Sequence, residues 1–338
     1  MSKVIYFLLT FFLLLLFLEL ALRFSGKLRT YPENNFGTYQ SAYDASAVKK
    51  INVWNKTDSI YSVQTEFAFS YLTNSYGLLK RSENACADTS NALVFLGDSF
   101  TFGVGADQDS SLPVYLEKQL HQPIINAGIP GSDPFFEKVL VDSIFKPLGY
   151  KKYIMMINFS DIYDFVIRGG TERFEQNNSV SYRSAPWIEG AYKHSHLVRA
   201  FVHKILGMDY SLLPNKQMKV LKEDAIKAYT ALLLSFSKEA DCLIVLQPYP
   251  RQYANNNTLL YEVLNYTYLE KLDSSLRAND IKTINLDPKL KKLLNSDNYL
   301  DYFWELDGHY NAKGYALLGE IIAEELTLNY PEFITQKE

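Results

Sequence analysis

Five short, almost uninterrupted apolar runs punctuate the chain after residue 91, and they restrict its fold more than any other feature. They cover residues 92–96, 123–125, 153–157, 243–246 and, more weakly, 281–286. A strand that is apolar on both faces is buried on both faces, as in parallel sheets covered by helices. Helical spacing of apolar residues occupies most of the gaps, over 111–120, 135–145 and 218–238, with a last helix over 311–326. Strands alternating with helices predict an α/β fold with a mostly parallel five-stranded sheet covered on both sides. In such folds, functional groups gather beyond the carboxyl ends of the strands.

Ahead of this region lies a run of a different kind. Residues 4–24 read VIYFLLTFFLLLLFLELALRF, about the ~20 residues that cross a bilayer core as a helix. No globular core needs a helix that is apolar on every face. Glu19 and Arg23 interrupt it four residues apart, a spacing that pairs them on one helical face. A cleaved signal peptide is the rival reading, but the apolar stretch is long for one and no clear small-x-small site follows 20–22. The expectation is one uncleaved transmembrane helix over 1–24, an irregular lead-in over 25–90 with a strand or two, and a catalytic domain over 91–330. Lys3 precedes the span while Arg23, Lys27 and Arg29 follow it. The positive-inside rule alone therefore leans towards a cytoplasmic C-terminal part.

Charge excludes one class of partner. The 338 residues carry 34 Lys/Arg against 38 Asp/Glu, no electrostatic match for a phosphate backbone, so nucleic acid is not expected to bind. The two cysteines, Cys86 and Cys242, make no scaffold and no zinc finger; the sequence leaves open whether they pair.

Two motifs carry chemistry. Gly97-Asp98-Ser99-Phe100-Thr101-Phe102-Gly103 follows the first buried strand. A serine there has its hydroxyl at a sheet edge with backbone N–H groups nearby, which suits a nucleophile. Leu306-Asp307-Gly308-His309-Tyr310-Asn311 lies near the other end. A histidine oriented by a carboxylate is the base such a serine needs, and Asn311 suits the cap of the following helix.

On these residues, in the order Ser, Asp, His, the chain resembles the SGNH/GDSL hydrolase superfamily, over roughly residues 65–325. The resemblance implies a three-layer α/β/α sandwich, with Ser99 as nucleophile, His309 as base and Asp307 as its orienter. Gly131, in Asn126-Ala127-Gly128-Ile129-Pro130-Gly131, resembles the family's second block, whose glycine N–H serves the oxyanion hole. The implied hole comprises Ser99, Gly131 and Ser160. Ser160, in Asn158-Phe159-Ser160-Asp161, stands where the family has asparagine, and a hydroxyl reaches less far than a carboxamide; Asn158 is a nearby substitute. Asp307 lies two residues before His309 instead of three, as in the alginate-acetyltransferase-like branches, while Glu305 at minus four points elsewhere. The stretches 73–78 and 19–23 also resemble membrane-anchored bacterial members.

The implied activity is an acyl-ester hydrolase or O-acyltransferase on acylated envelope glycan or lipid, with no metal or organic cofactor. A membrane partner that supplies acyl groups fits the transferase version, and an extracytoplasmic catalytic domain fits the family. The alternative is a catalytically degenerate fold of this type that binds glycan or lipid. Other candidates have plainer readings. His194 and His196 lack further ligands for a metal, and Trp187, Tyr192 and Trp304 are core or rim aromatics before they are cleft walls. Gly103-Val104-Gly105 only echoes a phosphate turn, and the sequons at Asn55 and Asn265 are short enough to arise by chance.

Overall fold

The computed structural model describes residues 2–26, 59–64, 66–72, 78–79, 89, 91–174, 183, 186–209, 212–248 and 266–335. Cys86, the sequon asparagines 55 and 265, and most of the 73–78 stretch lie outside them. The chain divides into two compact units, Met1–Ala42 with Tyr182–Leu221, and Tyr43–Ser181 with Lys222–Glu338. The sequence reading placed 182–221 within one catalytic domain; the structure groups it with the N-terminal helix.

The N-terminal unit contains α1 (Ser2–Phe24). Its 22 residues from Lys3 to Phe24 are long and apolar enough to cross a membrane, with a mean hydropathy of 2.6 over an 18-residue stretch.

The larger unit opens with an antiparallel hairpin, β1 (Ser59–Val63) and β2 (Ala68–Leu72). The central sheet then begins with β3 (Leu93–Gly97), followed by α2 (Ser99–Phe102), α3 (Leu112–Leu120) and β4 (Ile124–Gly128). Next come α4 (Pro134–Leu140), β5 (Lys152–Asn158) and α5 (Asp161–Arg168). The intervening segment 182–221 carries α6 (Glu189–His194) and α7 (His196–Lys204) of the N-terminal unit. The fold continues with α8 (Asn215–Glu239), β6 (Asp241–Gln247), α9 (Tyr266–Ala278), β7 (Thr283–Asn285), α10 (Asp287–Leu293) and α11 (Ala312–Asn329).

The five-stranded sheet has the order β4-β3-β5-β6-β7, and every pairing is parallel. Alternation along each strand feeds two separate layers. Leu93, Phe95, Ile154, Met156, Leu243 and Val245 pack with α3, α10 and α11 in one core. Tyr153, on the opposite face, meets Phe236 of α8 at 5.3 Å between ring centroids. Helices therefore cover both faces, the physical reason for the continuous apolar runs. The helix expected over 135–145 stops being regular at Leu140 and continues as a π-helical turn, Val141–Phe145.

Strand order locates the site. From β3 the chain moves outward to β4 on one side, then returns to place β5 on the other. This reversal opens a crevice at the carboxyl end of β3, where loops depart in opposite directions. Ser99, Gly131 and Ser160 follow the three strands that border it.

Candidate active site

Ser99 is the first residue of α2. Its entry is built by Asp98, whose carboxylate accepts from Phe100 N at 3.0 Å, and by Gly97 at φ +154°. A Cβ on Gly97 would come within 2.1 Å of Thr101 Oγ1, so only glycine permits this sharp strand-to-helix turn. The Ser99 N–H, at a helix start, has no intrahelical acceptor.

His309 Nε2 lies 2.8 Å from Ser99 Oγ, and His309 Nδ1 lies 2.5 Å from Asp307 Oδ1. The Asp-x-His spacing works through a local turn. Asp307 Oδ1 also accepts from the His309 backbone N–H at 3.2 Å, and Gly308 between them takes φ +90°. A short Asx-type turn of this kind delivers the carboxylate to the imidazole of a residue two positions on. The loop is pinned by Trp304 N to His309 O and Gly308 N to Trp304 O, both 2.9 Å, and by a bridge between Phe303 and Tyr310. His309 and Asp307 keep 20% and 26% of their side-chain surface exposed, so the pair reaches the surface. The carboxylate hydrogen-bonded to His309 Nδ1 is that of Asp307.

Two contacts around this triad have no signature in the sequence. Glu66 Oε2 accepts from the backbone N–H of Leu306 at 2.7 Å and of Asp307 at 2.8 Å, so a residue 240 positions away holds the histidine loop. Phe100 stands in the position where the resemblance expects leucine, and its ring lies 4.6 Å from the imidazole of His309, tilted by 32°. The lead-in hairpin matters too. Phe69 and Tyr71 on the buried face of β2, with Phe67 just ahead of it, form a small core with Leu79 and Phe102, against which Trp304 packs. Trp304 is thus a rim residue, fixed by Nε1 donating to Gly105 O at 2.8 Å.

After β4, Gly131 takes φ +75°, and the Arg168 guanidinium donates to its carbonyl. Ser160 is placed after β5 as the motif requires, but its hydroxyl donates to Asn158 Oδ1 at 2.8 Å and its N–H to the same oxygen at 2.6 Å. Asn158 in turn donates from Nδ2 to Asp98 and is fully buried. The substitute donor that the sequence suggested is therefore occupied inside the protein.

Beneath Ser99 lies a buried group of acids that sequence reading missed. Asp98, Glu137 and Asp161 are each at most 5% exposed. Burial pushes the Asp98 carboxyl up to about 6 and lifts Glu137 and Asp161 well above the usual carboxylate range. The Ser132 hydroxyl is shared between Gly97 O at 2.9 Å and Glu137 Oε1 at 3.0 Å. Protonated or shared-proton carboxyls are the expected state of such a cluster. Nearby, Asp133 pairs with Arg173 and Asp164 with Arg168 at 3.1 Å.

The remaining candidates fall elsewhere. Tyr192 is a core residue, and Trp187 is 94% exposed. His196 is buried 3.4 Å from Glu19. Cys242 is a free, buried thiol whose pKa burial raises.

No family model matches the chain, and no curated protein does. Several solved structures are similar to it at low identity. A lipase/acylhydrolase from Enterococcus faecalis is 13% identical, with a TM-score of 0.42 over 73% of this chain and 99% of its own. An acetylxylan esterase from Geobacillus stearothermophilus is 12% identical, with a TM-score of 0.41 over 73% and 98%. A protein of the G-D-S-L family from Desulfitobacterium hafniense is 15% identical, with a TM-score of 0.39 over 70% and 99%.

Proposed function

We propose that this chain is a serine enzyme of the SGNH/GDSL type that cleaves or transfers acyl esters. The observation that carries the reading is the continuous relay from Ser99 Oγ through His309 to Asp307, at 2.8 and 2.5 Å. His309 Nε2 takes the Ser99 proton as Oγ attacks the ester carbonyl carbon. Asp307 holds the proton on Nδ1 and stabilises the imidazolium. The tetrahedral oxyanion is met by the N–H groups of Ser99 and Gly131, neither of which has an acceptor among the described residues. Collapse breaks the ester C–O bond, and His309 returns the proton to the leaving alcohol. An incoming hydroxyl, deprotonated by His309, then bonds to the acyl carbon, and His309 returns that proton to Ser99 Oγ as the acyl–Oγ bond breaks.

Ser160 is the third oxyanion donor of this reading, and its hydroxyl has to leave Asn158 Oδ1 to serve. Lack of one donor costs roughly 10²–10³ in rate, so catalysis through two backbone donors is slower but intact. When water is the second acceptor the chain is an esterase; when it is a sugar hydroxyl, an O-acyltransferase. The apolar α1 as a membrane anchor and the Asp-x-His turn favour envelope glycan or lipid as the acylated substrate, with the catalytic unit outside the cytoplasm. In the transferase version, a membrane partner supplies the acyl group.

A fluorophosphonate probe tests the core of this reading. Wild-type chain is expected to become covalently labelled and Ser99→Ala not at all. Labelling absent from the wild type would favour a binding protein on a degenerate fold. Product analysis with water and oligosaccharides in competition separates esterase from transferase. A C-terminal reporter active only in the cytoplasm would, if active, overturn the extracytoplasmic placement.

A further inference from the structure

Glu19 is the one acidic residue of the largely apolar α1, and the structure shows what it contacts. Its carboxylate accepts from the Ser195 hydroxyl at 2.8 Å, from His196 N at 2.9 Å and from Leu197 N at 2.8 Å. It thereby caps the N-terminus of α7, where donors are free and negative charge is favoured. Arg23 pairs with Glu19 at 3.2 Å and donates to His194 O at 3.1 Å. The end of α1 is thus bolted to the junction of α6 and α7 within one compact unit.

The contact reaches down the helix. Most side chains of α1 are exposed, but Leu15, Glu19 and Leu22 are partly covered, and α1 packs on α7. These three share one face. At ~1.5 Å per residue, Glu19 lies about 7 Å and Leu15 about 13 Å below the end of the helix at Phe24. A span of this length matches a hydrocarbon core of about 30 Å. Whatever packs on Glu19 therefore sits at the depth of the upper acyl chains, and Leu15 lies deeper, towards the middle of the bilayer.

The surface of α7 and its exit fits that depth. Phe201 and Ile205, four residues apart on one face, are 49% and 71% exposed, and Leu206 beside them is 42% exposed. Their neighbour Lys204 is exposed, as are Lys216 and Lys219. Residues 182–221 hold six Lys/Arg against two Asp/Glu, in a chain that is acidic overall. An apolar face with basic residues beside it is the signature of a helix lying in an anionic membrane interface.

We infer that the α6–α7 segment is a membrane-embedded platform, fixed to the anchor by Glu19, whose face at Phe201, Ile205 and Leu206 enters the lipid of an anionic leaflet. The inference rests on α1 being a membrane anchor. Nitroxide labels on the full chain test both separately, in bilayer nanodiscs of phosphatidylglycerol and with Cys86 replaced by serine. Labels at Phe201→Cys and Ile205→Cys are expected to collide with dissolved oxygen severalfold more, relative to a water-soluble nickel chelate, than a label at the exposed Lys227. A label at Leu9→Cys reports the anchor. If Leu9 is in lipid while 201 and 205 resemble Lys227, the platform is overturned and the anchor stands. If Leu9 is also in water, the anchor reading fails. In phosphatidylcholine the oxygen preference at 205 is expected to fall; an unchanged value overturns the anionic assignment.

Discussion

At the residue scale, the site is a set of short bonds whose disruption has unequal consequences. Asp307 orients the imidazole of His309 and compensates its charge, so Asp307→Asn is expected to lower kcat by roughly 10³-fold or more; steady-state hydrolysis of a p-nitrophenyl ester measures this. Glu66 touches no reacting atom and acts by holding the backbone of Leu306 and Asp307. Glu66→Ala is expected to lower kcat between roughly 10- and 100-fold through misplacement of His309, with KM little changed. Glu66→Gln, which keeps an acceptor oxygen, should restore most of it. Glu137 is expected to act on stability through pH. Its carboxyl is raised in the folded state above its unfolded value, so the native state holds a proton that the unfolded chain releases. Stability tied to this group is full below the unfolded pKa of 4.5 and falls as pH rises through the folded value. Glu137→Gln removes that dependence. Melting temperatures should show the variant level with wild type near pH 4 and above it at pH 8.

At the element scale, the hairpin before the sheet has a definite task. The Phe67 and Trp304 rings pack tilted at 31° with centroids 5.2 Å apart, and Glu66 lies beside Phe67 in the turn between β1 and β2. Packing of the hairpin and fixation of the histidine loop are therefore one structure. Phe67→Ala is expected to cost about 3 kcal/mol in denaturant unfolding and to depress esterase activity below the level that its loss of stability explains. The Asp-Gly-His turn is legible locally, because Gly308 at positive φ and Asp307 as an Asx acceptor are both sequence signals. The partner that steadies it was not legible, since nothing in a polar Glu66 announces a contact 240 residues away.

At the scale of the whole molecule, the two layers packed on the sheet bury Cys242 at the start of β6. In a Cys86→Ser chain, an aromatic disulfide reagent should modify Cys242 only as fast as the sheet opens. Fast modification of the native protein would show that the layer over β6 is open. The division into units is also a property of the whole. The sequence reading named neither α6 nor α7, and nothing in residue order reveals that this segment packs with α1, because that depends on one carboxylate in the apolar run meeting one helix start.

The sequence alone determined the local chemistry: strands apolar on both faces demand a covered parallel sheet, the 4–24 run demands a membrane-length helix, and Gly-Asp-Ser and Asp-Gly-His encode their own turns. Each follows from short-range sterics or from periodicity, which read directly from residue order. Tertiary structure alone decided which donors remain free for an oxyanion, that Ser160 and Asn158 bond to each other, that acids collect beneath Ser99, and that Glu66 and Glu19 hold distant backbones. These depend on which groups the fold removes from water and what it sets beside them, and the partners of Asp98, Glu19 and Glu66 lie 60 to 241 residues away along the chain.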